Sequence, residues 1–407
     1  SRISRIADLV REATSQKTKI ASLTDRISAV FVPAVILLAV LTFSAWLLAA
    51  GDTQKAFESA VAVLVIACPC ALGIAVPMSL VVATSVGAKL GIVIRNPDAL
   101  QTLAKVRRVV FDKTGTLTTG VLKVVRVTGL GGVDAATALR YAAAIERGSN
   151  HPVAKSIAAA DQILSATKIK EVAGLGLEGM VETPSGLLRV FVGKPGEYLN
   201  QAEVDIAMAS AGPNTLAVVG WEGWAHGLIE LSDEPRPEAK TAVNQLSKMG
   251  MQTTLLSGDN PARVEKVAKE LGIADFQGGV SPEDKLSALK SDQVTAMVGD
   301  GINDIAALAA ADVGIAMGSG AHAAQAAAAI TILDDNPAHV PFALSLARRT
   351  RANILQNLAW AFGYNLILIP VAALGLLNPM LAGAAMALSS VSVVINARRL
   401  ARVPAAL

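Results

Sequence analysis

The 407-residue sequence holds only two cysteines and four histidines, and charged residues make up just 17% of it. Cys68 and Cys70 stand on either side of Pro69 in an uncharged run. That arrangement is no disulfide framework and no soluble zinc site, and it leaves thiolate ligation as their use. The formal net charge is only +3, and the lysines and arginines are scattered rather than gathered into a stripe, so nothing asks for a nucleic-acid partner. No secretory signal opens the chain, and there is no internal repeat or low-complexity linker; the alanine-rich stretch at 321–329 reads as a packing helix. So little charge at a mean hydropathy of +0.48 excludes an ordinary soluble protein.

Charge is missing in blocks. Residues 27–50 and 59–88 carry none, and neither do 352–397, where Asn378-Pro379 marks a turn. A helix needs roughly 20 apolar residues to cross the hydrocarbon core, so these blocks predict four spanning helices. Positive residues fall at one end of every span (Lys17, Lys19 and Arg26; Lys89 and Arg95; Arg348, Arg349 and Arg351; Arg398, Arg399 and Arg402), which puts that side and the large polar segment between the spans in the cytoplasm.

Residues 1–25 form a charged, amphipathic start with Ile3, Ile6 and Val10 at helical spacing. In the polar segment, β-rich runs at 106–111 and 295–298 lead into Asp112 and Gly299-Asp300. This pattern suits parallel strands whose carboxyl ends carry a site. A glycine- and β-branched-rich stretch between them reads as a domain inserted into an α/β domain.

Asp112-Lys113-Thr114-Gly115-Thr116-Leu117-Thr118 places a carboxylate at a strand end before a hydroxyl- and glycine-rich turn. The residues alone fit either a phosphate-binding turn or a nucleophile that attacks the terminal phosphoryl group of ATP. The D-K-T-G-T-L-T wording resembles the phosphorylation signature of P-type ATPases. Other pieces of that family follow in order. Ser257-Gly258-Asp259-Asn260 resembles its T-G-D turn with serine for threonine. Pro282 and Lys285 look like its P-x-x-K segment, and Gly299-Asp300-Gly301-Ile302-Asn303-Asp304 resembles its G-D-G-x-N-D hinge.

Gly174-Leu175-Gly176-Leu177-Glu178-Gly179 fits a dinucleotide fingerprint but has no clear βαβ context. It resembles instead the adenine-side glycine turn of the heavy-metal class of P-type ATPases. Ser149-Asn150-His151-Pro152 matches the S-E-H-P motif of that class except at Asn150, and Glu146 matches a second nucleotide-contacting glutamate. Lys194 departs from the asparagine usual after a Val-Gly pair.

In the second span, Pro69 and Pro77 each remove a helix N–H. The residues alone allow a kinked helix with two packing cysteines, or a helix unwound around a ligand. Cys-Pro-Cys resembles the transport-site signature of the heavy-metal class. Tyr364-Asn365, and Met386 with Ser389 and Ser390 on one helix face, resemble its copper(I)-transporting subgroup. Thiolates and a thioether suit Cu(I), and these spans lack the carboxylates that hard divalent ions want. Outside such a context, Met386 would be lipid-facing filler and Ser389 a packing residue. Asp25 reads equally as a helix cap or, by resemblance, as an acidic residue where metal enters.

The resemblance implies a multi-domain membrane protein with four transmembrane α-helices and a cytoplasmic α/β haloacid-dehalogenase-like, Rossmann-like phosphorylation domain interrupted by an α+β nucleotide-binding domain. The expected boundaries are a linker at 1–25, spans at 26–97 and 344–407, phosphorylation segments at 98–120 and 232–343, and the nucleotide-binding insert at 121–231. The family's T-G-E actuator motif and a C-x-x-C metal-binding domain are not in this sequence. The start therefore reads as the tail of a linker from an actuator domain, and dephosphorylation by these residues alone is expected to be impaired.

The implied activity is ATP-driven export of Cu(I) through an aspartyl phosphate. Asp112, Lys113, Thr114, Ser257, Asp259, Lys285, Asp300, Asn303 and Asp304 would do the chemistry, with Mg²⁺ on Asp112, Thr114 and Asp300. Glu146, His151, Pro152, Gly174 and Gly176 would bind ATP, and Cys68, Cys70, Tyr364, Asn365, Met386 and Ser390 would bind Cu(I). Implied partners are membrane lipid, a cytoplasmic copper donor protein and the actuator domain, at the plasma (inner) membrane. Ag(I) as cargo, a phosphorylating metal-binding protein that does not pump, and a membrane-tethered phosphatase are the alternatives.

Overall fold

The computed structural model describes residues 19–68, 70–300, 304–318 and 322–402, with only the backbone described for 19–28, Ala50 and His322. Helices α1 (Lys19–Ala50), α2 (Thr53–Ile66) and α3 (Cys70–Lys89) come first, then β1 (Ile92–Ile94), α4 (Pro97–Leu103) and β2 (Arg108–Asp112). Next are β3 (Thr118–Gly129), α5 (Ala135–Glu146), α6 (Pro152–Ala160), β4 (Ala166–Val172), β5 (Gly176–Thr183), β6 (Gly186–Gly193), α7 (Gln201–Ser210), β7 (Thr215–Trp221) and β8 (Trp224–Pro235). The chain continues through α8 (Ala239–Lys248), β9 (Gln252–Leu256), α9 (Pro261–Leu271), β10 (Asp275–Gln277) and α10 (Pro282–Leu289). It ends with β11 (Thr295–Gly299), α11 (Ile305–Ala310), β12 (Val313–Met317), α12 (His322–Ala327), β13 (Ile330–Ile332), α13 (His339–Ala373) and α14 (Pro379–Arg398).

Two compact units divide the chain: one runs to Val110 and adds Asn244–Thr253 and the chain from Leu286, and the other comprises Phe111–Val243 and Thr254–Lys285. In the first, α1, the α2–α3 segment, α13 and α14 supply four candidate membrane spans. Their outward faces are apolar, with Leu48, Leu366, Met380 and Ile395 well exposed, as lipid contact requires. Their inward faces are small: Ala39, Ala62, Ala372 and Ala382 meet in one cluster, and Ala71, Ala75, Ala361 and Val393 in another. Small side chains let backbones approach closely where no hydrophobic effect drives helices together. Asn378 caps α14, accepting from Leu381 N at 2.8 Å, with Pro379 at the first helical position.

The soluble part of this unit has β11, β12 and β13 paired in parallel, with β1 antiparallel to β13. Every residue of these four strands is buried, which is why they read as continuous apolar runs.

Two boundaries differ from those expected. Helix α1 starts at Lys19, so Asp25 lies inside it and is not its N-cap, which removes that reading. Helix α13 starts at His339 and carries Arg348, Arg349 and Arg351 on one continuous helix that runs on into the apolar stretch, because no proline falls between its first turn and Pro370.

The second unit is dominated by a six-stranded antiparallel sheet in the order β3-β8-β7-β6-β5-β4. The sheet covers 118–235, wider at both ends than the 121–231 expected from composition, because β3 and β8 pair from Thr118↔Pro235 to Gly129↔Gly227. Helices α5 and α6 cover one face, burying Ala142, Ile145 and Ile157 against Val190, Val219 and Ile229. Strands β9 and β10 pair in parallel beside it in sequence, and α9 is capped by Asn260 and closed by Gly272 at φ +78°.

Candidate functional site

The second unit gathers most of the residues that the sequence assigned to phosphorylation. Asp112 ends β2 and is buried, and the Lys285 ammonium donates to its Oδ1 at 2.6 Å. The following turn is tight, and Gly115 sits at φ +74°, a conformation that disfavours any side chain. Arg236 donates to Gly115 O at 3.0 Å, while Thr118 donates to Lys113 O at 2.9 Å. Lys113 is buried and pairs with Asp259 at 2.8 Å, and Arg263 reaches the other oxygen of Asp259 at 3.3 Å. Burial pushes the Asp259 carboxyl up, but the bonds from Lys113 and Asn260 N and the charges of Lys113 and Arg263 outweigh it and hold it below the usual carboxylate range. Ser257 Oγ accepts from Asp259 N at 3.2 Å, so this hydroxyl shapes the turn that presents Asp259. Thr114 is exposed at the mouth of the turn.

Asp300 and Asp304 belong to the other unit. Asp300 follows β11 directly and is half-buried, and Asp304 is buried immediately before α11. A Cβ at Gly299 would meet Asp304 Oδ2 at 2.9 Å, so this glycine makes room for the carboxylate. Asn303 lies outside the described residues.

A cavity of about 370 Å³ opens on the inserted sheet, lined by Glu146, Ser149, His151, Gly174, Gly176 and Lys194, among others. Three sequence-distant pieces meet here. Glu146 ends α5. His151 caps α6, its Nδ1 accepting from Val153 N at 3.3 Å, which fixes the proton of the neutral ring on Nε2. Gly174 forms the β4–β5 turn at φ +75°. At Gly176 a Cβ would stand 2.1 Å from Val192 O, so only glycine lets β5 lie this close to β6. Pro152 occupies the first turn of α6 and does not line the cavity. Burial pushes the Glu146 carboxyl up to about 7, so this acid exchanges its proton near neutrality.

In the membrane bundle, Cys68, Tyr364, Asn365, Met386 and Ser389 line a cavity of only about 10 Å³, the scale of a single ion. Its walls come from the break between α2 and α3, from α13 and from α14. Cys70 is exposed at the start of α3 and does not line it. Ser390 instead donates back to Met386 O at 3.3 Å, while the buried Ser389 takes the cavity position. The two sulfurs are joined as a disulfide, which corrects the expectation of two free thiolates: side chains two residues apart at a broken helix end reach one another, and metal ligation requires the reduced pair.

Some site residues had weak signals. Thr215 and Glu171 line the Glu146–His151 cavity without any motif around them. Asp233 accepts from Thr118 and, at 2.9 Å, from Gly120 N, tying β8 to the start of β3 after the Asp112 turn; the charged, proline-containing stretch Asp233-Glu234-Pro235-Arg236 was the available sign.

Comparison with known proteins gives this geometry its class. A haloacid dehalogenase-like hydrolase family matches residues 106–312, and a second family of that description matches 285–341. A crystal structure of a zinc-transporting PIB-type ATPase superposes at a TM-score of 0.82 and 35% identity, covering 98% of this chain and 67% of that one. A catalytic domain of the CPx-ATPase CopB-B matches at a TM-score of 0.52 and 29% identity over 65% of this chain and 98% of that one. The fold thus defines a haloacid dehalogenase-like domain in a chain that also carries candidate membrane spans.

More narrowly, the chain belongs to the heavy-metal class of P-type ATPases and is a multi-pass membrane protein. Among curated relatives, a copper-exporting P-type ATPase of Mycobacterium tuberculosis is 44% identical over 96% of this chain and 52% of its own length. One of Staphylococcus haemolyticus is 42% identical over 98% of this chain and 51% of its own. The chain spans about half the length of the curated relatives it matches.

Proposed function

We propose that this chain is the phosphorylation, nucleotide-binding and cation-pathway part of an ATP-driven exporter of Cu(I). The observation that carries the cargo is the single-ion cavity where Cys68 and Met386 meet Tyr364, Asn365 and Ser389 with no carboxylate among its walls. A thiolate and a thioether are soft donors that suit Cu(I), and a hard divalent ion would ask for charge that this cavity does not offer. Ag(I) shares that chemistry and is the alternative cargo. Cys70, exposed beside the cavity, would join Cys68 as a ligand once the pair is reduced.

ATP would enter by its base at the Glu146–His151–Gly174 cavity, its phosphates extending towards Asp112. An Asp112 oxygen then bonds to the γ-phosphorus as the bond to the β–γ bridging oxygen breaks and ADP leaves. Lys285 holds an ammonium against the attacking carboxylate, and Lys113 fixes Asp259 beside the turn. Asp112, Thr114 and Asp300 offer only oxygen donors, a set that fits Mg²⁺; when bound, that ion would neutralise phosphate charge. Asn303 and Asp304 would form the hinge beyond Asp300. Coupling requires that the metal bind the phosphorylated and unphosphorylated states with different affinities. Asp25 as a residue where metal enters, a cytoplasmic copper donor, surrounding lipid of the plasma membrane and the actuator domain of a longer chain complete the proposal.

The test is phosphorylation by radiolabelled ATP, with and without Cu(I), under reducing conditions. Label that depends on Cu(I) and is lost in both Asp112→Asn and Cys68→Ser supports the coupled motor. Label indifferent to Cu(I) and to Cys68→Ser overturns the cargo assignment.

A further inference from the structure

Three spans meet in a second polar site that the transport reading leaves unused. Ser79 on α3 lies with its Oγ 2.9 Å from Asn353 Oδ1 and 2.8 Å from Ala75 O one turn back on its own helix, so its one proton is shared between them, and Asn357 Nδ2 donates to the same Oγ at 3.2 Å. Asn357 Nδ2 also donates to Asn353 Oδ1 at 3.3 Å, and Asn357 Oδ1 accepts from Asn396 Nδ2 of α14 at 2.9 Å. Asn353 Nδ2 closes the ring on Asn396 O at 2.8 Å, a carbonyl near the end of α14 that also accepts from Arg399 N. All four residues are buried, and Asn357 is completely so.

Polar side chains inside a bundle cost free energy unless their bonds are met, and here they are met by one another across three helices. The depth of the cluster is the same on each helix. Asn357 precedes Asn365 by two helical turns, about 12 Å, and Asn396 follows Met386 by about 15 Å. Ser79 lies about 14 Å along α3 from Cys70. Each offset points towards the end that carries the basic residues. The three linked helices supply most of the walls of the single-ion cavity.

We propose that Ser79, Asn353, Asn357 and Asn396 form a positioning clamp that sets the axial register of α3, α13 and α14 and so holds the cavity at the size of one ion. The proposal rests on the reading of that cavity as the cargo site. An apolar contact between smooth alanine faces tolerates sliding and rotation. A ring of amides and a hydroxyl does not, because a shift of one residue leaves several buried donors unmet. The clamp touches neither metal nor nucleotide, so its effect is confined to where the ligands stand.

The test uses the full chain, reduced, with Ser79→Ala and Asn357→Ala as variants and Ser79→Thr as the conservative control. Two quantities are read: the Kd for Cu(I), and the rate at which a membrane-permeant maleimide alkylates Cys68 in a Cys70→Ala background without metal. Interhelical hydrogen bonds in membranes have modest energies, so both alanine variants are expected to weaken Cu(I) binding and speed alkylation by about three- to tenfold. ATP affinity should stay within about twofold, and Ser79→Thr should match the parent.

Unchanged alkylation in Ser79→Ala and Asn357→Ala overturns the clamp. A parallel fall in ATP affinity, or Ser79→Thr behaving like Ser79→Ala, also overturns it, since either marks a general loss of structure. A parent chain that binds no Cu(I) refutes the cargo reading instead, and the metal-free alkylation rate then decides the clamp by itself. If Asn357→Ala does not fold, Ser79→Ala, which removes a single hydroxyl, carries the same decision.

Discussion

The two candidate sites solve opposite problems. The Asp112 turn holds full charges close, Lys285 on Asp112 at 2.6 Å and Lys113 on Asp259 at 2.8 Å. The membrane cavity is walled by a sulfur of Cys68, the phenol of Tyr364, the amide of Asn365 and the thioether of Met386, none of them charged in the disulfide form. A site that handles a polyanion gains from fixed cations, and partial access to water makes their burial affordable. A site inside hydrocarbon cannot carry unpaired charge, so selectivity there rests on donor softness and cavity size. The contrast extends to their frames: loops and strand ends build the first, and helices locked by a polar ring build the second.

The comparison breaks most visibly at Lys285. Lys285→Met removes a preorganised cation from the attacking carboxylate, and phosphoenzyme formation should fall by about 10²–10³-fold. Cu(I) affinity, measured in the same preparation by equilibrium competition, should stay unchanged. A matching loss of metal affinity would show that the two sites are not separable in this way.

Next in size is the pH response of Glu146. Its carboxyl stands at about 7 in the folded chain against 4.5 for the unperturbed group, the cause being burial. Below the lower value both states are protonated and the burial of charge costs nothing. The penalty grows as pH rises between the two values and is complete above about 7. Glu146→Gln should therefore stabilise the 118–235 sheet at pH 8 by on the order of 2 kcal/mol, with little effect at pH 4.5, as read by hydrogen exchange of its peptides. The membrane cavity should not follow this profile.

The smallest effect belongs to Met386→Ala. Loss of one soft donor should weaken Cu(I) by about tenfold while leaving ATP-dependent phosphorylation at saturating metal near the parent level. A drop in maximal phosphorylation instead would mean that the thioether takes part in coupling as well as binding.

Much of the candidate site around Asp112 was legible because short motifs carry it: the 112–118 run, Ser257 to Asn260 and Lys285 come together in one unit. The spans were legible for a simpler reason, since hydrocarbon admits no charge and the sequence writes that exclusion as uncharged blocks. What escaped were the features that depend on neighbours. Thr215 and Glu171 have no motif, and Ser389 displaced Ser390 at the cavity because the direction in which an α14 side chain points is set by packing against α3 and α13. Asp25 looked like a cap because apolarity changes there, yet helix α1 continues past it, since a backbone helix need not stop where the membrane does.

The sequence by itself determined the motifs and their order along the chain, the uncharged blocks long enough to span and the end at which positive charge gathers. These are local properties of composition and spacing. Only the tertiary structure decided that Cys68, Tyr364 and Met386 share one cavity, that Glu146 is buried enough to hold its proton near neutrality, and that Ser79 meets Asn353 across 274 residues of chain. Register between distant helices, and the dielectric around a buried acid, are set by what packs alongside, and no stretch of sequence contains its own neighbours.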